Sequence, residues 1–242
     1  MPAATPIPAD ALAPRAPPPA PEGRRFEGAD LLLTAPVFFL YHLGVVFLSV
    51  RNGCDPVTDL LLSVLDRSLP AYLGLTLGLG LLLAAGVRLF RLGGTLNGRR
   101  VALRLGEATL YAVVMAVAAR AVAAPLLGPR EKLGPFTAVV SSMGAGFYEE
   151  VAFRVILFGL GAYLIGRWTQ GVRRVLLEVG WALVAAFAFS AVHYVGSLGD
   201  TFALGSFVFR VVCGLVLTAI YRFRGFAAAV WTHAIYDVGV MV

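Results

Sequence analysis

From residue 31 to its end the chain alternates between apolar runs of roughly 20 residues and short polar connections. Seven segments emerge, at approximately 31–50, 69–90, 105–127, 136–166, 174–195, 201–222 and 225–242. A run of that length, coiled as a helix, crosses the ~30 Å hydrocarbon layer of a bilayer. The pattern therefore predicts an all-α, polytopic transmembrane helical bundle of about seven spans. The fourth segment is too long for an upright span and predicts either a tilt or a break near Gly144 and Gly146. A break there would make eight helices. No internal repeat is visible, which argues against a transporter built from inverted repeats.

Composition agrees with this pattern. Hydrophobic residues make up 59% of the chain and charged residues 14%, and the mean hydropathy is +0.81. A soluble domain is about 45–50% apolar. The net charge of +6 does not imply a nucleic-acid partner, because the arginines cluster between apolar runs, where they set orientation in a membrane. The tail and the second, fourth and sixth connections hold 13 basic residues, and the alternate connections hold 4. This asymmetry places the N-terminus in the cytoplasm and, after seven spans, the C-terminus outside. Residues 1–29 form a Pro/Ala-rich stretch without the apolar core of a signal peptide, expected to be a disordered cytosolic tail ahead of a transmembrane domain over 30–242. Cys54 and Cys213, the only cysteines, do not make a disulfide framework.

Charge inside the spans narrows the chemistry. Between Phe136 and Gly166 the only charged residues are Glu149, Glu150 and Arg154, in G-F-Y-E-E-V-A-F-R. Ionisable groups in a span are costly and face the protein interior or a water-filled cavity. Glu150 and Arg154 stand at i and i+4, on one helix face, and are expected to pair. Glu149, turned by about 100°, is left as the reactive group. Two further constellations follow, F-S-A-V-H ending at His193 and H-A-I-Y-D from His233 to Asp237. In the second, Asp237 at i+4 can orient the His233 imidazole. His42 is read as a packing residue, and Arg120 and Arg210 as interhelical or snorkelling residues.

In this order, and each in its own apolar span, the motifs E-E-x-x-x-R, F-x-x-x-H and H-x-x-x-N/D resemble the CAAX prenyl protease type II and bacteriocin-processing (CPBP) family of intramembrane endopeptidases. The resemblance covers about 136–242, the expected catalytic core. It implies Glu149 as the catalytic glutamate, Glu150 and Arg154 in support, and His193 and His233 completing the centre. The family's last position is often Asn and here is Asp237, which either holds His233 as a cation or serves as a fourth metal ligand. The resemblance implies a protein of the bacterial inner membrane, working in the lipid bilayer on a protein or peptide substrate. Candidate substrates are a lipidated terminus, a secreted precursor or, as in a sorting-type branch, a C-terminal anchor.

The chemistry expected of these residues is glutamate-based and without a cofactor. A carboxylate stripped of water is an avid proton acceptor, suited to activating a water molecule together with His193. His233, preset by Asp237, faces the oxyanion. Zinc held by Glu149, His193 and His233 is the alternative. The outer half of the membrane is the expected side of access.

Overall fold

In the computed structural model the described residues are 28–48, 51–89, 98–123, 132–196 and 199–242, with side chains described from residue 32. The expected tail over 1–29 lies outside them except for its last two residues, which open the first helix.

The described residues form eight helices and no strand. They are α1 (Gly28–Phe47), α2 (Pro56–Val64), α3 (Leu69–Leu89), α4 (Gly98–Ala123), α5 (Pro135–Trp168), α6 (Gly171–Val192), α7 (Leu204–Arg224) and α8 (Phe226–Met241). Five of them, α3 to α7, are long and apolar enough to cross a membrane. In α1 the apolar part is the shorter Leu32–Phe47, and α8 has 16 residues. Large apolar side chains such as Leu81, Leu82, Val117 and Phe187 point outward. A water-soluble monomer rarely exposes so much apolar surface, and lipid is the solvent that suits it. The chain is an integral membrane protein.

The eighth helix is not the product of a broken fourth segment. It is α2, in the connection after α1. Asp55 caps its N-terminus, its Oδ1 accepting the amides of Val57 at 2.9 Å and Thr58 at 3.0 Å, with Pro56 at the first helical position. The fourth segment runs unbroken from Pro135 to Trp168. Its backbone widens into π-helical turns over Ala145–Glu149 and Val151–Gly159. These turns take more residues than α-helical ones and are frequent at functional sites.

Packing places α5 at the centre. Its first half lies against α1 and α8, and its second half against α6 and α7. Val37 and Tyr41 of α1, Val140, Met143 and Tyr148 of α5, and Phe226, Val230 and Ala234 of α8 form one core. A second core joins Met115, Ala119 and Ala123 of α4 to Phe209, Cys213 and Leu217 of α7. Small residues govern the close approaches, as expected where lipid supplies no hydrophobic drive between helices. A Cβ on Gly146 would meet the Val230 carbonyl oxygen and Ala234 Cβ, each at 2.9 Å, so only glycine lets α5 and α8 touch here. Between α7 and α8 the chain turns on Gly225 alone, at φ 95°, a conformation that disfavours any other residue.

Ion pairs gather at the helix ends remote from the α1–α2 connection. Glu107 pairs with Arg104 and Arg224, and Glu178 with Arg174 and Arg222. At the opposite end, the Leu133 amide donates to the Met241 carbonyl at 2.8 Å, tying the approach to α5 to the end of α8.

Candidate active site

Near that second end α5, α6 and α8 bring Glu149, His193 and His233 together. His193 caps α6, and its Nε2 lies 3.6 Å from Glu149 Oε2. His233, midway along α8, has its Nε2 3.9 Å from the same oxygen. Both gaps exceed a direct hydrogen bond and are of a size that one water oxygen can bridge. Glu149 Oε2 is buried and has no hydrogen-bond partner. His193 is the most open of the three, its side chain 24% exposed against 8% for Glu149.

The other ring nitrogens are engaged. His193 Nδ1 lies 2.7 Å from the Phe189 carbonyl oxygen, an acceptor only, so Nδ1 carries a proton and Nε2 is the nitrogen turned to Glu149. His233 Nδ1 lies 2.7 Å from Glu150 Oε1. Asp237 Oδ2 is 3.4 Å from His233 Nε2. Asp237 therefore shares the reactive nitrogen with Glu149, and the orienting partner of the ring is Glu150.

Glu150 and Arg154 are fully buried, with Arg154 Nη1 3.1 Å from Glu150 Oε1. The guanidinium also lies 4.3 Å from the centre of the Phe189 ring, and its Nη2 donates to the Gly214 carbonyl at 3.5 Å. The i, i+4 pair anticipated from the sequence is present, and Glu150 does more than neutralise Arg154, since one of its oxygens binds Arg154 and His233 together. Glu149, on the neighbouring face, is not solvated either. Its Oε1 accepts from Asn52 Nδ2 at 2.8 Å. Sequence reasoning missed Asn52. The available signal was the R-N-G-C-D-P turn ahead of a helix cap, which marks a turn but not a destination in the site.

The remaining charged and histidine positions behave structurally. His42 is buried, its ring nitrogens bonded to Tyr72 and Tyr148 hydroxyls. Arg210 pairs with Asp200 at 2.5 Å and lies 5.2 Å from the Tyr194 ring centre. Arg120 is exposed near the end of α4. Neither cysteine is in a disulfide.

A carboxylate faced by two imidazoles, with a second carboxylate and an arginine behind, defines a polar site enclosed within a helical membrane bundle. Residues 131–239, somewhat under half of the chain, match the family model described as type II CAAX prenyl endopeptidase Rce1-like. No curated protein and no solved structure matches the chain.

Glu149 Oε2 faces the two Nε2 atoms at 3.6 and 3.9 Å, and among the described residues no group of three or more His, Cys, Asp or Glu side chains is placed to hold a metal ion.

Proposed function

We propose that this protein is an intramembrane endopeptidase that hydrolyses a peptide bond of a membrane-associated or exported protein with Glu149 as general base. The observation that carries the reading is Glu149 Oε2, buried, without a hydrogen-bond partner and faced by the Nε2 atoms of His193 and His233. Water held between Glu149 and His193 Nε2 gives up a proton to Glu149 as its oxygen adds to the carbonyl carbon. His233, between the Glu150 and Asp237 carboxylates, donates from Nε2 to the tetrahedral oxygen. Collapse breaks the C–N bond, and the proton on Glu149 passes to the departing amine. Zinc on Glu149, His193 and His233 would supply Lewis-acid polarisation and an acidified water in the same place.

The site lies toward the end of the bundle that carries the α1–α2 connection. With the N-terminus in the cytoplasm of a bacterial inner membrane, this end faces outward. That geometry favours C-terminal anchors and secreted precursors over lipidated cytosolic termini as substrates. The test is terminal proteomics of membrane and secreted fractions from three strains: wild type, deletion, and deletion carrying Glu149→Gln at matched expression. Termini that vanish in both altered strains are products of this site. If Glu149→Gln restores every terminus, the protein acts as a scaffold and the catalytic assignment is wrong.

A further inference from the structure

We infer that the proteolytic unit extends beyond the family domain at 131–239, because the α1–α2 connection supplies Asn52 as the positioning residue of the Glu149 base. The inference rests on the reading of Glu149 as that base. Asn52 Oδ1 accepts the Cys54 amide at 2.8 Å, which orients the side-chain amide and turns Nδ2 toward Glu149 Oε1, 2.8 Å away. With Oε1 held, rotation of the carboxylate is stopped and Oε2 stays aimed at His193 and His233.

Asn52 is itself anchored. Its backbone amide donates to the Tyr41 hydroxyl at 3.0 Å, and that hydroxyl donates to Asp55 Oδ2 at 2.8 Å. Tyr41 and Asp55 are buried, and Asp55 also caps α2. The Tyr41 ring rests on α5 at Gly144, where an added Cβ would collide with Tyr41 Cε2. The connection is thereby fixed to α5 just ahead of Glu149, and the amide arrives from 97 residues away in sequence. Hydrogen bonds that orient a reactive group in this way commonly change activity by about 10- to 100-fold when removed.

Two measurements on the purified full chain test the assignment. The first needs no catalysis: thermal unfolding in detergent of Asn52→Asp, Glu149→Gln and the two combined. In the combination the amide and carboxylate exchange places, so it is expected to melt above Asn52→Asp alone, whose two carboxylates oppose each other. Melting at or below that single variant removes the contact. The second adds wild type, Asn52→Ala and Asn52→Asp to membranes of the deletion strain, and follows Glu149-dependent termini between pH 5 and 9. Asn52→Ala is expected to lower kcat about 10- to 100-fold, and Asn52→Asp to alter the pH profile of the rate.

The ionisable groups that interact with Glu149 are Arg154 on α5, His193 after α6, His233 on α8 and Cys54 in the connection. Arg51→Ala, which removes only an exposed pair with Asp59, is expected to leave rate and profile unchanged. Rates that fall only in step with the folded fraction, with an unmoved profile, overturn the positioning role. A wild-type chain without Glu149-dependent termini overturns the protease reading instead, while the melting result still decides whether the contact exists.

Discussion

His233 Nδ1 lies 2.7 Å from Glu150 Oε1, the same oxygen that is 3.1 Å from Arg154 Nη1. A single buried carboxylate oxygen thus joins the ion pair of α5 to the reactive imidazole of α8. Electrostatic support and ring orientation are one device here, and they can be separated by mutation.

Glu150→Ala leaves Arg154 as an uncompensated buried charge, an expected loss of about 3–5 kcal/mol of stability. Glu150→Leu combined with Arg154→Met removes both charges and is expected to recover most of it, because well-packed apolar residues often replace a buried pair without loss. Cleavage remains absent, since His233 has lost its Nδ1 acceptor. Thermal unfolding and cleavage of the Glu149-dependent termini check the two halves separately. An active double variant would mean that Glu150 does not orient His233.

Asp237 stands 3.4 Å from the nitrogen that faces Glu149. Asparagine there keeps a polar group of the same shape, so Asp237→Asn is expected to retain activity within about tenfold, whereas Asp237→Ala is expected to lose about 10²-fold. Rates of product formation at saturating substrate decide it. Equal losses for the two variants would show that the carboxylate charge is required.

Gly146 keeps α5 in contact with α8. Gly146→Val would place side-chain atoms against the Val230 carbonyl and Ala234, costing about 1–3 kcal/mol by overpacking. It is also expected to move Glu149 and Glu150 away from His233, so that activity falls further than the folded fraction. Melting curves and rates on the same preparation check this.

His42→Phe takes one partner each from the Tyr72 and Tyr148 hydroxyls, while Thr58 Oγ1 stays 3.4 Å from the Tyr72 hydroxyl, so the expected cost is about 1–3 kcal/mol in all. Activity per folded molecule is expected to be unchanged. A specific loss of activity would give His42 a part in the chemistry.

Glutamate-based chemistry predicts that the purified protein cleaves after treatment with a zinc chelator and without stoichiometric metal by elemental analysis. Loss on chelation, with recovery on adding zinc, would assign Glu149, His193 and His233 as ligands.

Several of these features were legible in the chain. Apolar run length located the spans, because a bilayer admits only segments that satisfy their own backbone hydrogen bonds. The i, i+4 spacing paired Glu150 with Arg154, since helical neighbours depend on local geometry alone. The charges left in apolar surroundings singled out Glu149, His193 and His233.

Tertiary structure decided what local periodicity cannot express. The wide turns of α5 over Ala145–Glu149 and Val151–Gly159 were not legible from the apolar run. Glu150 reaches His233 across 83 residues and Asn52 reaches Glu149 across 97. Glu150 took the orienting place anticipated for Asp237 because α8 presents the Nδ1 edge of the ring to α5 and leaves Asp237 on the Nε2 edge. One sequence names the polar groups that a membrane must bury. Which of them meet depends on how closely the helices pack, and here small residues such as Gly146 and Gly144 set that distance.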